Sequence, residues 1–525
     1  MKIKILDCTL RDGGYINNWE FNNSHTIKIL NSLNNSKIDI IECGYINDKI
    51  GNEKDSTLFN SLQSVDEVLA NISFDKDIEK VIMINLGDYD VENLPPKRQT
   101  SVDGIRLAFH KKDIEKAFET AYKIKALGYK LYFQPMVTKN YKDIEFLSII
   151  EKTNELNPNA FYIVDSFGSM TLKEFHKYLI LSNNNLANNI SLGYHSHNNM
   201  QLAFSNAISM CTQNLKREII IDSSIYGIGR GAGNLNTELI ADYLNDAYEK
   251  NYETLPLLEI IDELLASLMA KNSWGFSPAQ FLSASYNCHP NYASYLINKN
   301  TNHIVGIKKI LDNLPDEKKS SFDKEFIEKL YRNFILEKNS ETKGKIELSN
   351  NKILLIASGK SVLSNTELIE AKAKNENYIL ISLNHIPSIN CDYYFFTNQK
   401  RYDEFNPQID NDKLILTNNI KVSDSAFAIL DFSKLVFDNN GILVTNSAIL
   451  AINFLIQSKQ KVVEIAGLDG YKIGEDNYSY DENQIVADSK SQQEQNEIIK
   501  KSLDKLSKEI EIKIITPSIF KGNLI

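Results

Sequence analysis

The first half of the chain alternates two patterns. Short runs of consecutive apolar, mostly β-branched residues are followed by longer stretches with apolar positions every three to four residues. The runs fall at 3–8, 38–43, 80–86, 104–109, 129–135, 161–165, 190–195 and 218–222. Unbroken apolar runs suit strands buried on both faces, as in parallel sheets. The intervening stretches read as amphipathic helices; 113–127, for instance, ends at Gly128, which supplies a helix C-cap. Eight such βα units predict a (β/α)8 barrel over residues 1–254. A doubly wound sheet is the alternative, but usually has fewer strands.

The pattern changes at 255–345. Helical periodicity continues over 257–271, 291–299, 305–313 and 323–334, and strand-like runs disappear. The charged stretch 337–347 predicts a boundary. From 346 to 525 the strand–helix rhythm returns, with strands expected at 352–357, 378–383, 393–397, 413–417 and 462–466 and an apolar helix at 447–458. The Asn-rich stretch 182–189 reads as a loop. The expected architecture is therefore α/β: a TIM barrel, a helical segment and a separate Rossmann-like α/β domain. The length of 525 residues accommodates these three.

Composition narrows the function classes. No apolar run approaches the roughly 20 residues of a membrane helix, and the N-terminus lacks a signal-peptide pattern. A cytoplasmic enzyme is expected. The five cysteines are scattered without CxxC spacing, which argues against a disulfide framework or a structural zinc site. A net charge of −10 without a basic cluster argues against nucleic-acid binding.

Barrel active sites lie at the C-terminal ends of the strands. Polar residues collect at those positions: Arg11 and Asp12 after the first run, Glu42 ending the second, Arg106 in the fourth, Gln134 in the fifth, Asp165 ending the sixth, His195 and His197 at the seventh, and Asp222 ending the eighth. Residues two apart on a strand point the same way, so both histidines can face one ion. With the Asp12 carboxylate they make a two-His, one-carboxylate set suited to Mn2+, Mg2+, Fe2+ or Zn2+. An isolated HxH more often belongs to an ordinary loop; its place at the seventh strand end reverses that preference. Arg11 beside a divalent metal can stabilise a developing enolate oxygen, or it can simply pair with Glu42. The glycine-rich stretch 227–233 can cradle an anion or let the eighth helix approach the barrel.

Three motifs carry a resemblance. Leu6-Asp-Cys-Thr-Leu-Arg-Asp-Gly-Gly14, Gly193-Tyr-His-Ser-His-Asn198 and Gly227-Ile-Gly-Arg-Gly-Ala-Gly-Asn234 resemble, in order, the opening strand, metal-binding strand and glycine loop of the DRE-TIM metallolyase superfamily. That superfamily includes HMG-CoA lyase, isopropylmalate and homocitrate synthases and 4-hydroxy-2-oxovalerate aldolase; the glycine loop is most like the last. The resemblance implies Asp12, His195 and His197 as metal ligands, Asn234 completing the shell directly or through water, and Arg11 as enolate stabiliser. Mn2+ or Mg2+ is the expected cofactor, and Glu42, Arg106, Gln134 and Asp165, at the same rim, are the expected substrate contacts. Two departures stand out. The HMG-CoA lyase branch carries a loop cysteine where this chain has Arg230 and Ala232. The aldolase branch has a histidine shortly after its RDG, where this chain has Tyr15. Tyr15 moves a proton, binds substrate or packs. The region 255–345 occupies the place of the aldolases' communication domain; there His289 and Tyr292 read as structural anchors, with reach into the barrel mouth as the alternative.

In the last domain, the strand–turn–helix Lys352-Ile-Leu-Leu-Ile-Ala-Ser-Gly-Lys-Ser361, with 382–384, 392–396 and 466–470, resembles sialyltransferase-like or DUF115-type domains of bacterial glycan synthesis. That resemblance implies a nucleotide-activated substrate at Ser358, Gly359, Ser361 and Asn384; a non-catalytic scaffold is the alternative. The combined expectation is a metal-dependent aldolase joining or cleaving a 2-oxo acid and a sugar-like aldehyde in glycan biosynthesis, as a homo-oligomer. Acyl-CoA condensation and a degenerate barrel supporting the last domain are the competing readings.

Overall fold

All eight apolar runs form strands in the computed structural model. It describes residues 2–521 apart from 50–54, 300–303, 338–341, 345, 347, 349–350, 375–377, 422–425, 440, 473–476 and 480–488. Part of the stretch 337–347, expected as a boundary, lies outside the described residues. The strands are β1 (Ile3–Asp7), β2 (Ile40–Ile46), β3 (Glu79–Asn85), β4 (Gly104–Phe109), β5 (Lys130–Pro135), β6 (Ala160–Asp165), β7 (Ser191–Ser196) and β8 (Ile219–Ser223). Each pairs in parallel with the next, and β1 pairs with both β8 and β2. That last pairing closes the barrel and excludes the doubly wound alternative.

Strand parity decides what enters the barrel. Leu6, Ile40, Val81, Tyr132, Ala160, Tyr162, Val164 and Ile220 share one buried interior cluster with Cys8. Counting by twos toward the C-terminal ends, Glu42, Arg106, Gln134, His195 and Asp222 share the interior phase. Asp165, one residue past Val164, does not. β2 runs to Ile46, further than its apolar run suggests. Gly44, at φ 149°, interrupts the register with β3 and lets Tyr45 and Ile46 pair with the short strand Leu58–Phe59.

One Asn-rich segment is more helical than its composition suggests: the helix Leu172–Asn185 continues through residues 182–185. Its end is held by Arg217, whose guanidinium donates to the carbonyls of Asn183, Leu186, Ala187 and Ile190 at 2.9–3.0 Å. This clamp satisfies carbonyls that a helix C-terminus leaves open, overriding local turn preference.

The chain divides into two compact units, residues 1–298 with 311–323, and residues 299–310 with 324–525. The segment 255–345 is thus shared between them. The first unit takes the helices Leu255–Ile260 and Ala266–Lys271, joined by a π turn, then Pro278–Ser285 and Pro290–Asn298. The second contains a seven-stranded parallel sheet. Its first strand in sequence, β9 (Lys352–Ile356), is flanked on one side by Tyr378–Leu383, Tyr393–Phe396, Leu414–Thr417 and Ala428–Leu430. On the other side lie Val462–Ala466 and Glu511–Ile514. The apolar helix appears at Ser447–Gln457. Among the described residues no helix is long and apolar enough to cross a membrane.

Candidate metal centre

The residues at the C-terminal ends of the barrel strands form a closed ring of charged contacts. Arg11 Nε donates to Glu42 Oε2 at 2.9 Å, and its Nη1 lies 2.8 Å from Asp12 Oδ1. Arg106 Nη1 lies 2.8 Å from the same Glu42 oxygen, and its Nη2 pairs with Asp222. Asp222 Oδ2 in turn lies 2.9 Å from His195 Nδ1, and His195 Nε2 faces Asp12 Oδ2 at 3.5 Å. Every member is buried. The ring holds three carboxylates against two guanidiniums, so one negative charge calls for a cation: a proton on His195 or a metal ion.

Local structure aims these groups. After β1 the chain makes a single helical turn, Thr9–Asp12, in which the Asp12 N–H bonds to the Cys8 carbonyl. The i, i+4 spacing places the Cys8 thiol and the Asp12 carboxylate on one side. A carboxylate only accepts, so Asp222 fixes the His195 proton on Nδ1 and leaves the Nε2 lone pair facing Asp12. This is the arrangement in which an outer carboxylate orients a metal-binding imidazole. The 3.5 Å gap between Asp12 and His195 is close to the about 3–3.5 Å that separates neighbouring ligands of one cation.

The metal-ligating atoms of Cys8, Asp12 and His195 lie within 4.8 Å of one another. His197 stands beside them, its ring centroid 5.3 Å from that of His195 and nearly perpendicular to it. The backbone pairs His197 with Asn234 in an isolated bridge. Asn234 Nδ2 donates to Asp12 Oδ2 at 2.7 Å. Its Oδ1, and His197 Nδ1, are buried without a hydrogen-bond partner among the described residues. Orphaned acceptors cost free energy unless something fills the gap, and a cation would use an amide oxygen and an imidazole nitrogen. The donor set therefore fits a divalent metal. Cys8 fits less well as a ligand: its S–H donates to the Ser223 carbonyl at 3.1 Å, and burial pushes its thiol well up. The remaining O and N donors, two imidazoles with a carboxylate and an amide oxygen, suit a divalent metal ion.

Electrostatics agree with this placement. Burial alone would push the Asp12 carboxyl up, but Arg11, His197 and His195 together hold it below the usual carboxylate range. Burial pulls His197 down to about 3, so it stands neutral, as a ligand must. Burial works against the Arg11 cation, but Asp12 and Glu42 raise it and keep it charged.

The other residues singled out from the sequence are placed as follows. Arg106 is 0% exposed and lies over the Tyr162 ring; Gln134, with its oxygen turned toward Arg106, accepts from Nε at 2.9 Å. Arg106, Gln134 and Glu42 thus form the floor of the site. Asp165 turns both oxygens to backbone N–H groups of Ser169 and Met170 at 3.0 Å, and burial raises its carboxyl to about 6. Tyr15 lies one turn past Arg11, edge-on to Trp19 at 4.7 Å and beneath the Arg230 guanidinium at 3.9 Å. Tyr292 is anchored, its hydroxyl 2.8 and 2.9 Å from the carbonyls of Lys318 and Ser321. Sequence reasoning placed Asp222 at the barrel rim without giving it a role, and did not enlist Cys8. Strand parity for Asp222, and the i, i+4 relation to Asp12 for Cys8, are the signals that find them.

In the second unit the turn after β9 meets the loop after Val462–Ala466, where the strand order reverses from β9 outward, the usual crevice of an open parallel sheet. Two of its donors are already engaged. Gly359 N–H bonds to the Gly467 carbonyl at 2.9 Å, and Ser361 N–H bonds to Asp469 Oδ2 at 2.7 Å. The Ser358 carbonyl accepts from Ser479. Asn384, at φ 58°, ties its strand to Thr397 and Phe395. A phosphate bound here would have to displace the Asp469 carboxylate.

The HMGL-like family model matches residues 2–261, the span of the barrel and its closing helix. The barrel is HMGL-like. This HMGL-like barrel is 22% identical over 271 residues to 4-hydroxy-2-oxovalerate aldolase of Geobacillus thermodenitrificans, covering 51% of this chain and 77% of that protein. It is 23% identical over 271 residues to the enzyme of the same name from Carboxydothermus hydrogenoformans, covering 51% and 79%. Among solved structures, the N-terminal domain of a candidate aldolase from Bacteroides vulgatus is 32% identical, with a TM-score of 0.49, covering 56% of this chain and 96% of that one. The family match and the aldolase relatives make the chain an enzyme of the metal-dependent aldolase class, a carbon–carbon lyase.

Proposed function

We propose that the barrel binds Mn2+ or Mg2+ through Asp12, His195, His197 and Asn234 and uses it to join or cleave a pyruvate-like 2-oxo acid and an aldehyde. The observation that carries this reading is the buried ring with one uncompensated negative charge, lined by orphaned acceptors of the right chemistry. A divalent cation held there supplies Lewis acidity toward the keto oxygen of the 2-oxo acid. Arg11, next to Asp12, neutralises the charge that grows on that oxygen when a methyl proton leaves. Glu42 holds Arg11 in place, and Arg106 holds Glu42 and Asp222 together. Asp222 keeps His195 in its ligand tautomer. Tyr15, one helical turn past Arg11, takes the role of moving the methyl proton.

The acceptor is read as a sugar-like aldehyde. In the turn at Ser358–Ser361 the Gly359 and Ser361 N–H groups are paired internally, so the reading places the aldehyde chemistry in the barrel and assigns no nucleotide to the second unit. The test is a condensation assay with pyruvate and short aldehydes on the full chain, after chelation and after restoring Mn2+ or Mg2+. Activity is expected only with metal. Tyr15→Phe is expected to slow turnover by about 10²-fold or more. Equal turnover with and without metal would refute the metal assignment; full activity in Tyr15→Phe would remove Tyr15 from proton transfer.

A further inference from the structure

The glycine loop carries a charge that the ring does not use. Arg230, half-buried on this loop, has two close partners among the described residues, and neither is a carboxylate. Its guanidinium lies 3.9 Å over the Tyr15 ring, and its Nη1 lies 3.4 Å from His289 Nε2. His289 faces a second donor, because its Nδ1 lies 3.2 Å from the backbone N–H of Asn291. A neutral imidazole has one acceptor and one donor nitrogen. Burial first, and then the Arg230 charge, keep His289 neutral, with its proton lost down to about pH 3. With Nδ1 accepting from Asn291, the proton sits on Nε2 and points at another donor, the guanidinium.

Two N–H donors then converge with no acceptor between them. The 3.4 Å separation, long for a hydrogen bond, fits that reading. The rings of Phe167 and Phe322, 5.8 and 6.3 Å from that of His289 between centroids, give it apolar neighbours. In such a partly dry setting, unsatisfied donors favour an anionic oxygen strongly.

We propose that Arg230 and His289 form an anion subsite at the barrel mouth that takes the phosphate or carboxylate of the acceptor aldehyde. The inference rests on the aldolase reading. It assigns the anion to the acceptor rather than to the 2-oxo acid because the pair lies outward of Tyr15, itself one helical turn beyond Arg11. The 2-oxo acid carboxylate belongs at the metal cluster with Asp12 and Arg11. The Arg230 guanidinium lies 3.9 Å over the Tyr15 ring, one helical turn past Arg11, and this sets the subsite beside the metal centre.

Matched aldehydes test this on the Mn2+-loaded full chain: glyceraldehyde 3-phosphate against glyceraldehyde, and succinic semialdehyde against propanal. The wild type is expected to favour the anionic member of at least one pair by about 10- to 100-fold in kcat/KM, mainly through KM. The favoured pair tells phosphate from carboxylate. Arg230→Gln is expected to erase most of that preference, and Arg230→Lys to keep part of it. Equal use of charged and neutral aldehydes by the wild type would overturn the subsite. So would an Arg230→Gln variant that raises KM for pyruvate instead of the aldehyde. Binding of inorganic phosphate to the chelated protein, by calorimetry, gives a readout that needs no turnover: it should weaken about tenfold or more in Arg230→Gln and in His289→Ala, and unchanged binding in both would count against the subsite. A wild type that turns over no aldehyde and exchanges no pyruvate protons, yet binds phosphate through Arg230, would refute the aldolase reading and leave the anion subsite standing.

Discussion

His195→Ala is expected to lower divalent-metal affinity by two orders of magnitude or more and to cut exchange of pyruvate methyl protons by about 10³-fold or more. The reason is geometric. His195 links Asp12 to Asp222, and its Nε2 is the ring nitrogen facing the Asp12 carboxylate. Removing the imidazole deletes a ligand and takes from Asp222 its partner on the metal side, leaving its pairing with Arg106. Asp222→Asn is the milder companion. It keeps a polar group beside Nδ1 but loses the carboxylate that fixes the tautomer, and a 10- to 100-fold loss of metal affinity is expected. Isothermal titration with Mn2+ and proton NMR of pyruvate in D2O measure the two effects. Wild-type metal affinity in His195→Ala would place the metal elsewhere.

The second large effect concerns stability. Arg106 is fully enclosed and answers two buried carboxylates, Glu42 and Asp222. Arg106→Met keeps much of the volume over Tyr162 but leaves both carboxylates without their shared cation. Breaking a buried charge pair in this way costs about 3–5 kcal/mol, which for a domain of this size lowers its unfolding midpoint by about 10 °C. Calorimetry on the full chain reads the barrel transition. Adding Glu42→Gln to Arg106→Met is expected to recover part of the loss, because it removes one of the stranded charges. A change below about 1 kcal/mol in Arg106→Met would mean that water or a neighbouring cation already compensates these carboxylates.

Much of this site was legible in the sequence because strands impose a period of two. His195 and His197 share a phase, and the end of the seventh apolar run places them at the barrel mouth. Asp12 was legible from its position just after the first run. The same period explains Asp165: it follows Val164, which faces the interior, and its oxygens turn to the backbone of Ser169 and Met170. The ring itself was not legible. That Glu42 meets both Arg11 and Arg106, and Asp222 both Arg106 and His195, depends on strands that are neighbours only after closure. Arg230 and His289 are 59 residues apart and meet only because the helix beginning at Pro290 folds over the barrel mouth. The Asn-rich stretch 182–189 misled for a related reason: Arg217, well downstream, closes a helix that local composition alone would have ended sooner.

The central claim is that the buried ring holds a divalent cation that activates a 2-oxo acid. Deuterium incorporation into the methyl group of pyruvate, followed by NMR in D2O with no aldehyde present, tests it directly. The purified full chain is expected to catalyse exchange with Mn2+ or Mg2+, to lose it on chelation and to regain it when metal is restored. Exchange that persists after the metal is removed, or its absence with every divalent cation supplied, would contradict the account.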